Sequence, residues 1–338
     1  RLTYKRPEGG PMSEDCLHAY IYTSKNCLTK GGCAIMWVLH GGRYNFESPV
    51  VFVDDVIVHN FASDGQDVVV IIPAYRLMNF GFLNIAPGMK TSVTPNVAVW
   101  DVLLAMQWTH REAHHFGGDS QKITVQKGHS AGAQFADVIS TSPHFAGLFR
   151  SLVLMSGADT AYDANIRTNN LASWLTANLL GCATNTTDQS SIVAVEGVIT
   201  CLRGKIWEEI VEANKFFDTS PEMYTGPHAD GPGGILPLSP IELSSKRAPV
   251  SVMLGTTSAE FHETKYALNA DRTADINKVG ELCEVFAYGT GVVNYNYSEH
   301  NAYKFIAGTN VMDFRSDTFF FMSTYLTARE LASNANQS

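Results

Sequence analysis

The 338 residues carry a formal net charge of -9 and a sequence pI near 5.6, with no long Lys/Arg run to build a phosphate-binding face, which excludes a general nucleic-acid partner. With 45% hydrophobic and 17% charged residues, the chain can bury a sizeable core, unlike a disordered tail. No apolar run reaches the roughly 18 residues of a membrane-spanning helix, and the start at Arg1 shows neither a charged n-region nor an apolar h-region. A removed leader, or an anchor carried elsewhere, is compatible with both observations.

In chain order, Cys33-Ala-Ile-Met-Trp-Val-Leu39 is a short apolar run that ends at His40-Gly41-Gly42, which predicts a buried strand and a tight loop. Asp67-Val-Val-Val-Ile-Ile72 is a second strand. From Val97 to His115, Trp100, Leu103, Leu104, Gln107 and Trp108 recur at helical spacing and predict an amphipathic helix with that face inward. Strands follow at Ile123-Thr-Val125, Ser151 to Met155 and Val250 to Leu254, and helices at Ala131–Ser140 and Asn169–Leu180. Apolar strands of this kind are buried on both faces. Their alternation with helices predicts a doubly wound, parallel or mixed α/β sheet. Beyond about Thr264 strand signals fade and helical patterning dominates, and no repeat or linker divides the chain.

The cysteines are Cys16, Cys27, Cys33, Cys182, Cys201 and Cys283. No CxxC pair and no flanking His cluster occurs among them, so no metal site is predicted. Three sequons begin at Asn185, Asn296 and Asn336, and together with the cysteines they favour a secreted or luminal compartment.

Gly128-His129-Ser130-Ala131-Gly132 has the Gly-x-Ser-x-Gly form of a nucleophile elbow. That chemistry needs a strand turning sharply into a helix, so that a strained serine holds its hydroxyl above the sheet. Ile123 onward supplies the strand and Ala131 onward the helix. The helix start offers the Ala131 N–H to a developing oxyanion. His129 reads as a residue packed against the neighbouring strand, because adjacent side chains on an elbow point apart.

His40-Gly41-Gly42-Arg43 after a strand resembles an oxyanion loop, where glycines let backbone N–H groups approach a substrate. Seven blocks in order then resemble the type-B carboxylesterase family, which includes cholinesterases and neuroligin-like adhesion proteins. They are Ser13-Glu-Asp-Cys-Leu17, His40-Gly-Gly42, Ala74-Tyr-Arg-Leu77 with Phe80-Gly-Phe-Leu83, Phe116-Gly-Gly-Asp119, Gly128 to Gly132, Met155-Ser-Gly157 and Leu254-Gly-Thr-Thr-Ser-Ala-Glu260. The resemblance implies one α/β-hydrolase domain over residues 1–338, incomplete at both ends, with a mostly parallel sheet flanked by helices. It implies Ser130 as nucleophile, Glu260 as the acid, Gly41, Gly42, Arg43 and Ala131 in the oxyanion hole, and Ser156 beside the triad. It further implies an Arg76–Asp101 salt bridge, a Cys182–Cys201 disulfide, and an upstream partner for Cys16. By its residues alone, Glu260 is either that acid or an exposed loop carboxylate.

Arg43 stands where the family usually has a third glycine, and His129 where it more often has Glu. A serine nucleophile also needs a base oriented by an acid, and in this fold the order is Ser, Asp/Glu, His. After Glu260 the sequence contains only His262 and His300. The first is too close to the acid and the second too early for the family's pattern, so the triad histidine is expected to lie beyond this chain. The implied activity is hydrolysis of a small carboxylic ester through an acyl-enzyme, without a cofactor, and weak in this chain alone. The alternative is a non-catalytic, neuroligin-like binding protein. The sequence sets no oligomeric state.

Overall fold

A computed structural model of the chain describes residues 12–158, 165–216, 225–244, 247, 249–257, 260 and 320–335. Its sheet has six strands, β1 (Ala19–Tyr22), β2 (Cys33–Val38), β3 (Val68–Pro73), β4 (Gly118–His129), β5 (Ser151–Met155) and β6 (Ser251–Gly255), in the order β1-β3-β2-β4-β5-β6. β1 runs antiparallel to β3 and every other pairing is parallel. The chain leaves β2 toward β3 but returns to lay β4 on the other side of β2. The loops after β2 and β4 therefore diverge at a topological switch point, where open α/β sheets form their binding crevice.

The helices are α1 (Lys25–Lys30), α2 (Asp54–Ile57), α3 (Met78–Phe82), α4 (Val97–Glu112), α5 (Ala131–Thr141), α6 (Asn165–Leu179), α7 (Ile192–Arg203) and α8 (Trp207–Ala213), followed by short and late helices at Pro240–Ser244 and Met322–Ala335. The period of two along β2 and β3 sorts their side chains onto two faces. Ile35, Trp37, Val69 and Ile71 join the main core with α4 and α5, while Met36, Val38, Val70 and Ile72 pack beneath Ile57 of α2. Trp37 is fully buried, and its indole N–H donates to Thr109 Oγ1 at 3.0 Å.

Three expectations are corrected and one strand is added. The buried face of α4 is Ala98, Val99, Val102, Leu103, Met106 and Thr109, while Leu104 and Gln107 are exposed and Trp100 and Trp108 half-buried. The stripe is rotated because Thr109 reaches Trp37 and Asp101 reaches Arg76, so polar positions hold the inward face. β6 is not buried on both faces: last in the strand order among the described residues, it alternates between exposed and half-buried, with Met253 72% exposed. β1, four residues of half-exposed Ala-Tyr-Ile-Tyr, gave no apolar run to find. Finally, His129 is exposed rather than packed against a strand.

Among the described residues two disulfides are present. Cys182–Cys201 ties the end of α6 to α7 with Cα atoms 5.5 Å apart, and Cys27–Cys33 ties α1 to β2 at 5.7 Å. Among the described cysteines Cys16 is unpaired, and Cys283 lies outside the described residues. So do His262, His300, Asn296 and Asn336. Among the described residues no helix is long and apolar enough to cross a membrane, and no cluster of three or more His, Cys, Asp or Glu is arranged to hold a metal.

Candidate active site

β4 ends at His129, and Ser130 occupies the cap position of α5 with φ 58° and ψ -127°. L residues avoid this conformation, at a cost of about 1–3 kcal/mol. The elbow is nevertheless held firmly. Ser130 N–H donates to Met155 O at 3.1 Å, and Ser130 O accepts from Ala133 and Gln134 N–H at 2.9 and 3.1 Å. Its side chain makes no capping hydrogen bond, so the hydroxyl is not spent on the helix. The residue is half-buried.

The loop after β2 rests directly on this elbow. A Cβ on Gly132 would stand 2.5 Å from Leu39 O and 2.7 Å from His40 O, and one on Gly41 would stand 2.7 Å from His129 O. Two backbones that close require glycine on both sides. Gly42 has φ 91°, and Arg43 and Tyr44 follow at φ 55° and 59°. Arg43 thus keeps a left-handed backbone that glycine would adopt without strain. Among the described residues, the N–H groups of Gly41 and Gly42 donate to nothing. Ala131 N–H opens α5, where helical amides lack an internal acceptor and the dipole is positive.

Beside the elbow, His129 and Met155 are register partners across β4 and β5. The next residue, Ser156, is buried with φ 51° and donates its hydroxyl to Glu260 Oε1 at 2.7 Å. The same oxygen accepts Thr257 N–H at 2.9 Å. Burial pushes the Glu260 carboxyl upward, but the hydrogen bonds from Ser156 and Thr257 and the nearby charge of His129 outweigh it and hold the group below the usual carboxylate value. Thr257 was missed in the sequence; its place three residues before the acid, just after a strand, was the available signal.

Behind the site, Arg76 and Asp101 form a bidentate pair, with Nε to Oδ2 at 2.8 Å and Nη2 to Oδ1 at 2.6 Å. Asp101 is buried, whereas the Arg76 side chain is 36% exposed. A second pair, Arg247 Nη1 with Asp137 Oδ1 at 2.6 Å, is buried on both sides at 3% and 0% exposure. It anchors the middle of α5, and the aspartate inside that apolar helix was its signal. Asn185 sits exposed within the loop closed by Cys182 and Cys201. An open cleft of about 630 Å³ between α6 and α8, lined in part by Leu179, Leu180, Glu208 and Glu212, includes none of the elbow residues.

A family model described as "Carboxylesterase family" matches residues 1–334. The chain is 35% identical to acetylcholinesterase-1 of Trittame loki over 212 residues, 60% of this chain and 35% of that protein. It is 31% identical to human cocaine esterase over 252 residues, 74% of this chain and 41% of that protein. The matched stretch is well under half the length of either relative. Among solved structures it is similar to juvenile hormone esterase of Manduca sexta, with a TM-score of 0.75 at 24% identity over 97% of this chain and 62% of that one. It is likewise similar to a PNB esterase, with a TM-score of 0.72 at 19% identity over 97% of this chain and 66% of that one. The likeness to both structures establishes an α/β-hydrolase fold, and the match across almost its whole length places the chain in the carboxylesterase family.

Proposed function

We propose that the protein carrying this chain hydrolyses a small carboxylic ester with Ser130 as the nucleophile. The observation that carries this reading is the conformation of Ser130, strained at φ 58° with its hydroxyl unspent, directly under a glycine loop whose amides have no described acceptor. Strain of this kind persists where surrounding structure enforces it, and it collects at reactive sites.

In this reading Ser130 Oγ attacks the acyl carbon while a histidine outside the described residues removes its proton, and the carbonyl electrons move onto oxygen. The N–H groups of Gly41, Gly42, Arg43 and Ala131 hold the resulting oxyanion. Collapse of the adduct expels the alcohol, which takes the proton back from the imidazole. Water then repeats the sequence on the acyl-enzyme and releases the acid. Glu260 orients the imidazole, and Ser156 and Thr257 keep the carboxylate charged for that task. No cofactor enters the scheme. The family and the esterase relatives support ester hydrolysis as the reaction class.

Residues 1–338 are read as part of one hydrolase domain. The two disulfides suit an oxidising compartment outside the cytosol, and Asn185, exposed in a sequon, suits glycosylation there.

The test is turnover of p-nitrophenyl acetate by the full-length protein. Ser130→Ala is expected to lower kcat by about 1,000-fold or more. Turnover that survives this substitution unchanged would contradict the assignment, and its absence from the unmutated protein would favour the binding-protein alternative.

A further inference from the structure

Amides can stabilise an oxyanion strongly only if they are aimed before the substrate arrives. In a planar trans peptide the N–H points away from the C=O, so a group that grips one residue's carbonyl aims the amide of the next residue. Three successive carbonyls in the loop after β2 are gripped in this way. Tyr75 Oη donates to His40 O at 2.7 Å. His40 Nδ1 lies 3.0 Å from Gly41 O, and Asn45 and Phe46 N–H donate to Gly42 O at 2.9 and 3.0 Å. A carbonyl only accepts, so Nδ1 of His40 carries the proton.

We propose that Tyr75 is a positioning residue for the oxyanion loop: its hydroxyl aims the Gly41 N–H through His40 O, and its ring holds the imidazole that aims the Gly42 N–H. The proposal rests on the esterase reading only for the purpose those amides serve.

Tyr75 follows β3 and is 3% exposed. Its ring stacks on His40 with centroids 4.3 Å apart and planes within 10°. On α5, the helix that Ser130 opens, Phe135 meets the same ring edge-on at 5.0 Å. One side chain therefore touches both the loop that carries the amides and the helix that carries the nucleophile. Burial first, and the charge of Glu47 second, raise the phenol well above its ordinary value, so Tyr75 stays a donor wherever the protein is folded. Burial likewise pushes His40 down to about 4, which leaves a neutral ring with one N–H committed to Gly41 O.

Tyr75→Phe deletes only the oxygen. In hydrogen–deuterium exchange, the peptide covering residues 39–47 should exchange about ten-fold faster in this variant, with peptides from β4 and β5 unchanged. In the full-length protein, kcat per titrated active site should fall about ten- to a hundred-fold while KM stays within about two-fold, and affinity for a trifluoromethyl ketone, which forms a tetrahedral oxyanion adduct, should fall with kcat. A tyrosine that merely fills the core would lower the melting temperature or the active fraction and leave kcat per site and ketone affinity alone, and that result overturns the proposal. Equal exchange of the loop peptide in the two proteins overturns it as well, with or without turnover. Faster loop exchange in Tyr75→Phe, in a protein that shows no turnover even unmutated, upholds the positioning role and sinks the esterase reading.

Discussion

Ser130 and Glu260 stand on either side of the end of β5, the first bonded to Met155 and the second to Ser156, yet they are held differently. Around Ser130 the backbone is gripped by β5 through Met155 O, by the first turn of α5, and by the loop after β2, whose carbonyls lie within 3 Å of where a side chain on Gly132 would begin. Glu260 follows β6, whose residues alternate between exposed and half-buried, and its Oε1 accepts hydrogen bonds from Ser156 and Thr257. The nucleophile side is a packed device, in which a change to one backbone displaces the others. The acid side is a polar tether. Damage at the centre should therefore be nearly all-or-none, and damage on the acid side graded.

The largest expected effect comes from Gly132→Val, which drives a side chain into Leu39 O and His40 O. It should lower p-nitrophenyl acetate turnover by about 1,000-fold or more, because both halves of the oxyanion site move; a loss below about ten-fold would mean the centre is not packed as described.

Next comes pH. His40 has an ordinary value of 6.5 and is pushed by burial to about 4 in the folded protein. Between these values the unfolded chain binds the extra proton, so stability is fully present above 6.5 and lost as pH falls toward 4. The loss amounts to about 3 kcal/mol at full effect. Urea midpoints across this range should show the slope, and His40→Gln should flatten it in part. Burial also lowers His228, so some slope remains.

Smaller still, Ser130→Gly should abolish turnover and yet raise stability by about 1 kcal/mol, since glycine accepts the strained backbone and no side-chain cap is lost. A urea midpoint that falls instead would deny the strain. On the acid side, Ser156→Ala removes one of the donors that keep Glu260 charged. It should cost no more than about 1 kcal/mol of stability and move the acidic limb of the pH–rate profile upward. An unmoved limb would separate Glu260 from the reaction.

This contrast also explains what could be read from the sequence. β-branched runs such as Val68 to Ile72 and the Gly-x-Ser-x-Gly spacing are local signals, and they located β2, β3, β5 and the elbow. Contacts made at long range are not written locally. The rotation of the α4 face depends on Trp37 meeting Thr109 and Arg76 meeting Asp101, and helical spacing alone placed Leu104 inward. His129 ends the central strand β4 and is exposed there, whereas adjacency on the elbow predicted that it packs against the neighbouring strand. Tyr75 was visible within Ala74-Tyr-Arg-Leu77, but its grip on His40, 35 residues earlier, needed β2 and β3 to be paired.

The most direct test of Ser130 is covalent. When the full-length protein is treated with a fluorophosphonate and digested, mass spectrometry should find the adduct on the peptide containing Ser130. Labelling should vanish in Ser130→Ala and persist in Ser156→Ala. An adduct on another residue, or none under conditions that label an active serine esterase, would contradict the assignment.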